Sequence, residues 1–239
     1  MGLAFRVLWR ALKDYYDEMF TLVGANLVWV LVLTAALGIP YGLNYLGIHP
    51  AVTLISGVLL LVGLLPPATA GMWYLTNQVA HHKTVEFRMM WDGAKMYATK
   101  SWLHALLNIV VAALVYVNIW FYGAIDAQWA VIVRGLFIGL AVLWVLIQIY
   151  VMPMLMEQQE PKFFLALRNA AFMTFASPIV TLLVGVLMAL IAALSIGLAL
   201  PFAVAMMAVL GLISNGAVLA LLVQFKIRKP PEELAPGAD

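Results

Sequence analysis

Gly63 to Trp91 reads GLLPPATAGMWYLTNQVAHHKTVEFRMMW, and this one stretch passes from a bilayer into water. It starts inside an apolar run, carries a double proline, and ends on His81-His82-Lys83 before turning amphipathic. A span that continues to the histidines places Pro66 and Pro67 near mid-membrane. Neither has an N–H, so the carbonyls of Val62 and Gly63 lose their helical partners. Each proline also pushes its predecessor out of the α region, which predicts a kink or broken turn. In lipid the freed carbonyls need Thr69, water or a neighbouring helix. Two readings follow: a hinge or small polar cavity, or a static kink plugged by a neighbour.

Outward from that stretch, the chain is 65% hydrophobic and only 10% charged over 239 residues, against about 25% charged in soluble domains. No formal charge occurs between Glu18 and Lys83, or between Arg168 and Lys226. Each run exceeds the roughly 20 residues that cross a hydrocarbon core, so each holds at least two spans. The fold class is all-α: a polytopic membrane protein of six transmembrane helices with interfacial amphipathic helices. The short alternating strands of an outer-membrane barrel do not occur in the pattern. A net charge of +2 is too small to point to nucleic acid. With no cysteine there is no disulfide, thiol chemistry or cysteine metal site. The first eighteen residues carry six charges, where a cleavable signal needs an apolar core.

Phe5, Leu8, Trp9, Leu12, Tyr15, Tyr16 and Met19 recur at steps of three and four, with Arg6, Arg10, Lys13 and Asp17 opposite. This is a helix lying in the interface, or one packed on its own protein; both put it at the membrane surface. Arg10 with Asp14, and Lys13 with Asp17, stand at ion-pair spacing. The first span runs from Met19 to Leu37 and ends at Gly38-Ile39-Pro40; the second runs from Ala51 to Ala80. Residues 84–100 form a second amphipathic segment, anchored by Trp91 and Arg88 as the first is by Trp9 and Arg6. Spans follow over Ser101 to Tyr122 and Gln128 to Met156, the latter bent near Pro153. After a weaker amphipathic piece, Phe163 to Phe175, come a span from Ser177-Pro178 to Leu200, a tight turn at Pro201 and a sixth span to Phe225. The domain is 1–225, and 226–239 reads as a disordered cytoplasmic tail.

Six spans put every Lys and Arg except Arg134 on one side. By the positive-inside rule that side is the cytoplasm, giving a topology with both termini inside. A shift of 82 residues lays Phe5-Arg6 on Phe87-Arg88, Trp9 on Trp91, Lys13 on Lys95 and Asn26 on Asn108. The pattern predicts three copies, 5–80, 87–156 and 163–225, in parallel rather than inverted topology.

The order of Asn26-Leu27-Val28-Trp29, then Pro67 to Met72, then Phe87 and Trp91 with Lys95-Met96-Tyr97, resembles the YesL-like family of bacterial membrane proteins. The resemblance covers Asn26 to Asn108; Pro66 stands where members have a small residue, and Gly71-Met72 matches loosely. It implies a plasma-membrane protein of unknown function, often encoded beside sugar ABC transporters, and supplies no catalytic residues.

Little else points to chemistry. His81-His82 could be metal ligands, but adjacent helical residues diverge by about 100°, and interfacial histidines are the simpler reading. His104 is a proton site or an interhelical hydrogen bond. Arg134 is an intramembrane charge that either snorkels toward Asp126 and the headgroups or binds an anion. No span contains Asp or Glu, and no catalytic-triad order, HExxH or phosphate loop occurs. The expectation is a non-enzymatic protein without cofactor or metal, in contact with lipid and with a transporter or a second copy of itself. The alternative is a carrier or channel for a small neutral solute, its path lined by Pro66, Pro67, Thr69, Asn26, Asn108 and Arg134.

Overall fold

The computed structural model describes residues 2–228, and the tail residues from Lys229 on lie outside that range. Nine helices and no strand occur among the described residues: α1 (Gly2–Asp17), α2 (Met19–Tyr45), α3 (Pro50–Ala80), α4 (Arg88–Gly123), α5 (Gln128–Met156), α6 (Phe163–Ala176), α7 (Pro178–Leu198), α8 (Leu200–Val204) and α9 (Met206–Gln224). Six of them, α2, α3, α4, α5, α7 and α9, are long and apolar enough to cross a membrane. The chain is a polytopic all-α membrane protein.

Where boundaries moved, packing overrode local signals. α2 runs through Gly38-Ile39-Pro40 to Tyr45. Its Pro40 ring lies against Gly57 of α3, 3.2 Å from where a Cβ would stand. With the Trp29–Thr69 hydrogen bond, this contact sets α2 antiparallel to α3. The second amphipathic segment is no separate helix. Nothing between Ala94 and Tyr122 breaks helix, so it continues into the third span as the 36-residue α4, about 54 Å long at 1.5 Å per residue. The turn expected at Pro201 falls at Ala199, at φ 56°, and Pro201 opens the short α8. The last span is broken at Ala205.

A threefold repeat is not established by these elements. The first and third segments begin with a helix set apart from the span, at Glu18 and at Ser177, whereas the second is fused. Only the third has a broken final span.

The core occupies one half of the bundle. α3 buries Ala70 to Ala80 but little before Ala70, α4 buries Met90 to Ser101, and α5 buries Ile147 to Leu155. α9 is buried along its length and runs between the others. α1 packs its Ala4, Val7 and Ala11 face on α9 and leaves Phe5, Trp9, Leu12 and Tyr16 exposed. Thus α1 is both packed on the protein and aromatic toward the interface. In the half farther from His81 the long helices are mostly exposed, Ala36, Ala130 and Ser195 excepted.

Candidate functional site

Pro66 and Pro67 interrupt neither α3 nor its surroundings. Helix continues through both. The Gly63 carbonyl, freed by Pro67, accepts from Trp102 Nε1 of α4 at 3.1 Å. Thr69 Oγ1 donates to Leu65 O at 2.8 Å and accepts from Trp29 Nε1 at 2.9 Å. One neighbouring indole, that of Trp102, thus takes the carbonyl that Pro67 frees, and a second, that of Trp29, ties Thr69 to α2.

Asn26, in place of lining a path, holds the broken last span together. Its Nδ2 donates to the carbonyls of Phe202 (2.9 Å) and Ala203 (2.7 Å) at the end of α8. Its Oδ1 accepts from the N–H groups of Met207 (2.9 Å) and Ala208 (3.3 Å) at the start of α9. A helix break in an apolar setting leaves such groups orphaned. One amide, fully buried, satisfies both ends. Tyr15 Oη adds a bond to Val204 O at 3.1 Å.

Asn108 likewise turns inward. Trp144 Nε1 donates to its Oδ1 at 2.8 Å, and its Nδ2 donates to His104 O at 2.9 Å. His104 Nε2 lies 2.6 Å from Gln148 Oε1, so this histidine makes an interhelical hydrogen bond between α4 and α5. Arg134 sits at the far end over Gly123, among Tyr116, Ile119 and Trp120. It makes no ion pair with Asp126 among the described residues. With Asn26, Thr69 and Asn108 each spent on protein partners, nothing here favours a solute path.

The anchors divide. Trp9 and Trp91 are exposed, and Lys95 Nζ stands 5.0 Å over the Trp91 ring. Arg88 makes an exposed pair with Asp92 at 3.9 Å, whereas Arg6 faces a cavity. The spacing of Arg10 and Asp14 suggested an ion pair. Instead the Arg10 guanidinium hydrogen-bonds His82 Nε2, because His82 is presented by a left-handed turn (φ 53°) that closes α3. No ion pair joins Lys13 to Asp17 among the described residues.

The densest polar cluster went unread in the sequence. Glu157, capping α5, accepts at Oε1 from His81 Nε2 (2.7 Å) and Asn77 Nδ2 (2.9 Å), and at Oε2 from Arg228 (2.6 Å). Asn77 Nδ2 also donates to Asn215 Oδ1 at 3.1 Å, and Asn215 Nδ2 reaches Gly211 O at 2.9 Å. Burial pushes the Glu157 carboxyl up, but the bonds from His81 and Asn77 and the charges of His81 and Arg228 outweigh it. The group is held below the usual carboxylate range. Every strong donor and acceptor here is matched within the protein, so the cluster locks α3, α5 and α9 together at the basic end. Arg228, placed in a disordered tail by sequence, is one of its members. The missed signal was Glu157 itself, a lone carboxylate directly after 29 apolar-rich residues.

Beside this lock lies a cavity of about 690 Å³ between α1, α9 and the end of α3. Arg6, Arg10, Asp14, His81, His82, Gln224 and Arg228 supply its polar lining; Val7, Leu212 and Gly216 belong to the apolar remainder. Among the described residues no group of three or more His, Cys, Asp or Glu could hold a metal ion. The arrangement defines a six-span helical membrane protein with a hydrogen-bonded lock at its basic end. No protein-family profile, curated protein or solved structure matches the chain.

Proposed function

We propose that this is a non-enzymatic, multi-pass protein of the plasma membrane, with both termini cytoplasmic, that acts as an accessory partner of a transport system. The observation that carries the reading is the apolar surface left exposed in the far half of the bundle. On α5, Gly135 and Gly139 lie one turn apart, both exposed, with no atom within 4 Å of a Cβ built on either. Exposed Ile132 and Leu136 flank them. Small residues at this spacing let a second membrane helix approach closely. The lysine and arginine distribution supports the orientation, and the resemblance of Asn26 to Asn108 to the YesL-like family supports a transport partner.

Purification of the full chain in mild detergent tests this. A membrane-embedded partner is recovered with the wild type, and Gly139→Ile abolishes the recovery while shifting stability by less than about 0.5 kcal/mol. Repeated recovery of the bare protein, or a partner indifferent to Gly139→Ile, overturns it. Because the chain has no cysteine, a single Leu136→Cys cross-links only through the face in question.

A further inference from the structure

We propose that the cavity between α1 and α9 is a binding site for one anionic phospholipid, its phosphate between Arg6 and Arg10 and an acyl chain against Val7, Ala11, Leu212 and Gly216. The cavity has the two-part chemistry of an amphiphile site. Its volume, about 690 Å³, falls within the roughly 300–1,000 Å³ of small-molecule sites. One wall is the small apolar face of α1, where Ala4, Val7 and Ala11 meet α9. Arg6 and Arg10 are one turn apart on α1, so both guanidinium groups can address one phosphate, whose geometry their planar forks match.

The charge balance of the lining favours an anion. Arg228 is committed to Glu157. Arg10 has a histidine as its partner, and Arg6 makes no ion pair among the described residues. Asp14 is the only carboxylate among the lining residues. Burial holds it above the usual carboxylate range, against the opposing pull of Arg10 and His82.

A lipid is favoured over a soluble phosphate by where the cavity lies. Phe5, Trp9, Leu12 and Tyr16 of α1 are exposed away from it, and such a stripe sits at headgroup depth. Basic pockets between helices at that depth take anionic headgroups. An apolar floor beneath the arginines serves a chain and does nothing for free phosphate.

The test uses the full chain in nanodiscs of phosphatidylcholine doped with phosphatidylglycerol, with released lipid read by native mass spectrometry. Wild type retains one phosphatidylglycerol per chain in preference to phosphatidylcholine. Arg6→Gln lowers that retention about tenfold, and adding Arg10→Gln lowers it further, as expected for loss of charge-assisted bonds. Ala220→Phe, which fills the cavity without touching a charge, also abolishes it. Arg88→Gln, a basic residue of the same end outside the cavity, leaves it unchanged. Equal retention in wild type, Arg6→Gln and Ala220→Phe overturns the proposal. So does thermal protection by millimolar inorganic phosphate where phosphatidylglycerol gives none, since the occupant is then a soluble anion.

Discussion

The two halves of this membrane domain are built on different terms. Near His81, glycines are contact points. A Cβ on Gly71 would run into the Met90 carbonyl, one on Gly93 would lie 2.5 Å from Tyr74 Cβ, and one on Gly211 would lie 2.5 Å from Thr76 Oγ1. In the other half, Gly38, Gly135, Gly139 and Gly197 face nothing within 4 Å, and the contacts of Gly57 and Gly123 are with side chains, the Pro40 ring and Arg134, at 3.2 and 3.3 Å. Polar side chains divide in the same way. Asn26, Asn77 and Asn215 cross between helices, whereas Asn118 only returns to Leu114 O of its own helix at 2.7 Å. Apolar surface alone gives no net attraction between helices in lipid, so close packing and hydrogen bonds must hold a bundle. One half has both. The other has fewer such contacts, among them the Pro40 ring on Gly57 and the stacked Tyr122 and Phe137 rings.

The largest effect expected to test this contrast is at Asn26. Asn26→Leu leaves two carbonyls and two N–H groups of the α8–α9 break unpaired, at about 1–3 kcal/mol for each group not rescued by water. A loss of roughly 3 kcal/mol or more in unfolding from mixed micelles is predicted, while Asn118→Leu changes stability by less than about 1 kcal/mol. A small effect at Asn26 removes the distinction between the halves.

Next come the glycines. Gly71→Ala must push α4 from α3 and costs about 1–3 kcal/mol by overpacking. Gly139→Ala meets nothing and gains up to about 1 kcal/mol from helix propensity. Equal losses at both positions mean the far half is packed after all.

The Glu157 lock adds a pH dependence. Its folded-state pKa is depressed, so its contribution is present above the ordinary glutamate value, near 4.3, and is lost as pH falls through the lower folded value. Stability of the wild type declines across that acid window, and Glu157→Gln flattens the decline. The smallest effect belongs to Arg88→Ala. Its pair with Asp92 is exposed, with Arg88 at 83%, and removal shifts stability by less than about 0.5 kcal/mol.

How far the sequence could be read follows from the same physics. Span number, the limits of α5 and the amphipathic start of α1 were legible because hydropathy and charge are local. The rescue of Gly63 by a neighbour was anticipated as one of two readings, because proline chemistry says which carbonyl is freed, though not that Trp102 would take it. Asn26 was recognised as an intramembrane polar group, but its partner begins at Phe202, across 176 residues. No periodicity reports a contact of that kind. The fused α4 defeated the reading for a different reason. Amphipathic and apolar segments look distinct in composition while sharing one unbroken helical backbone. Glu157 escaped because its partners come from two distant places in the chain, Asn77 and His81 at the end of α3 and Arg228 after α9.

The clasp that Asn26 makes has a consequence for biogenesis. The first span enters the bilayer carrying an amide whose partners are made 176 to 182 residues later. Until α8 and α9 arrive, that amide must borrow water or a temporary companion. A chain interrupted before Phe202 would therefore leave a polar amide without its partners in its first membrane segment.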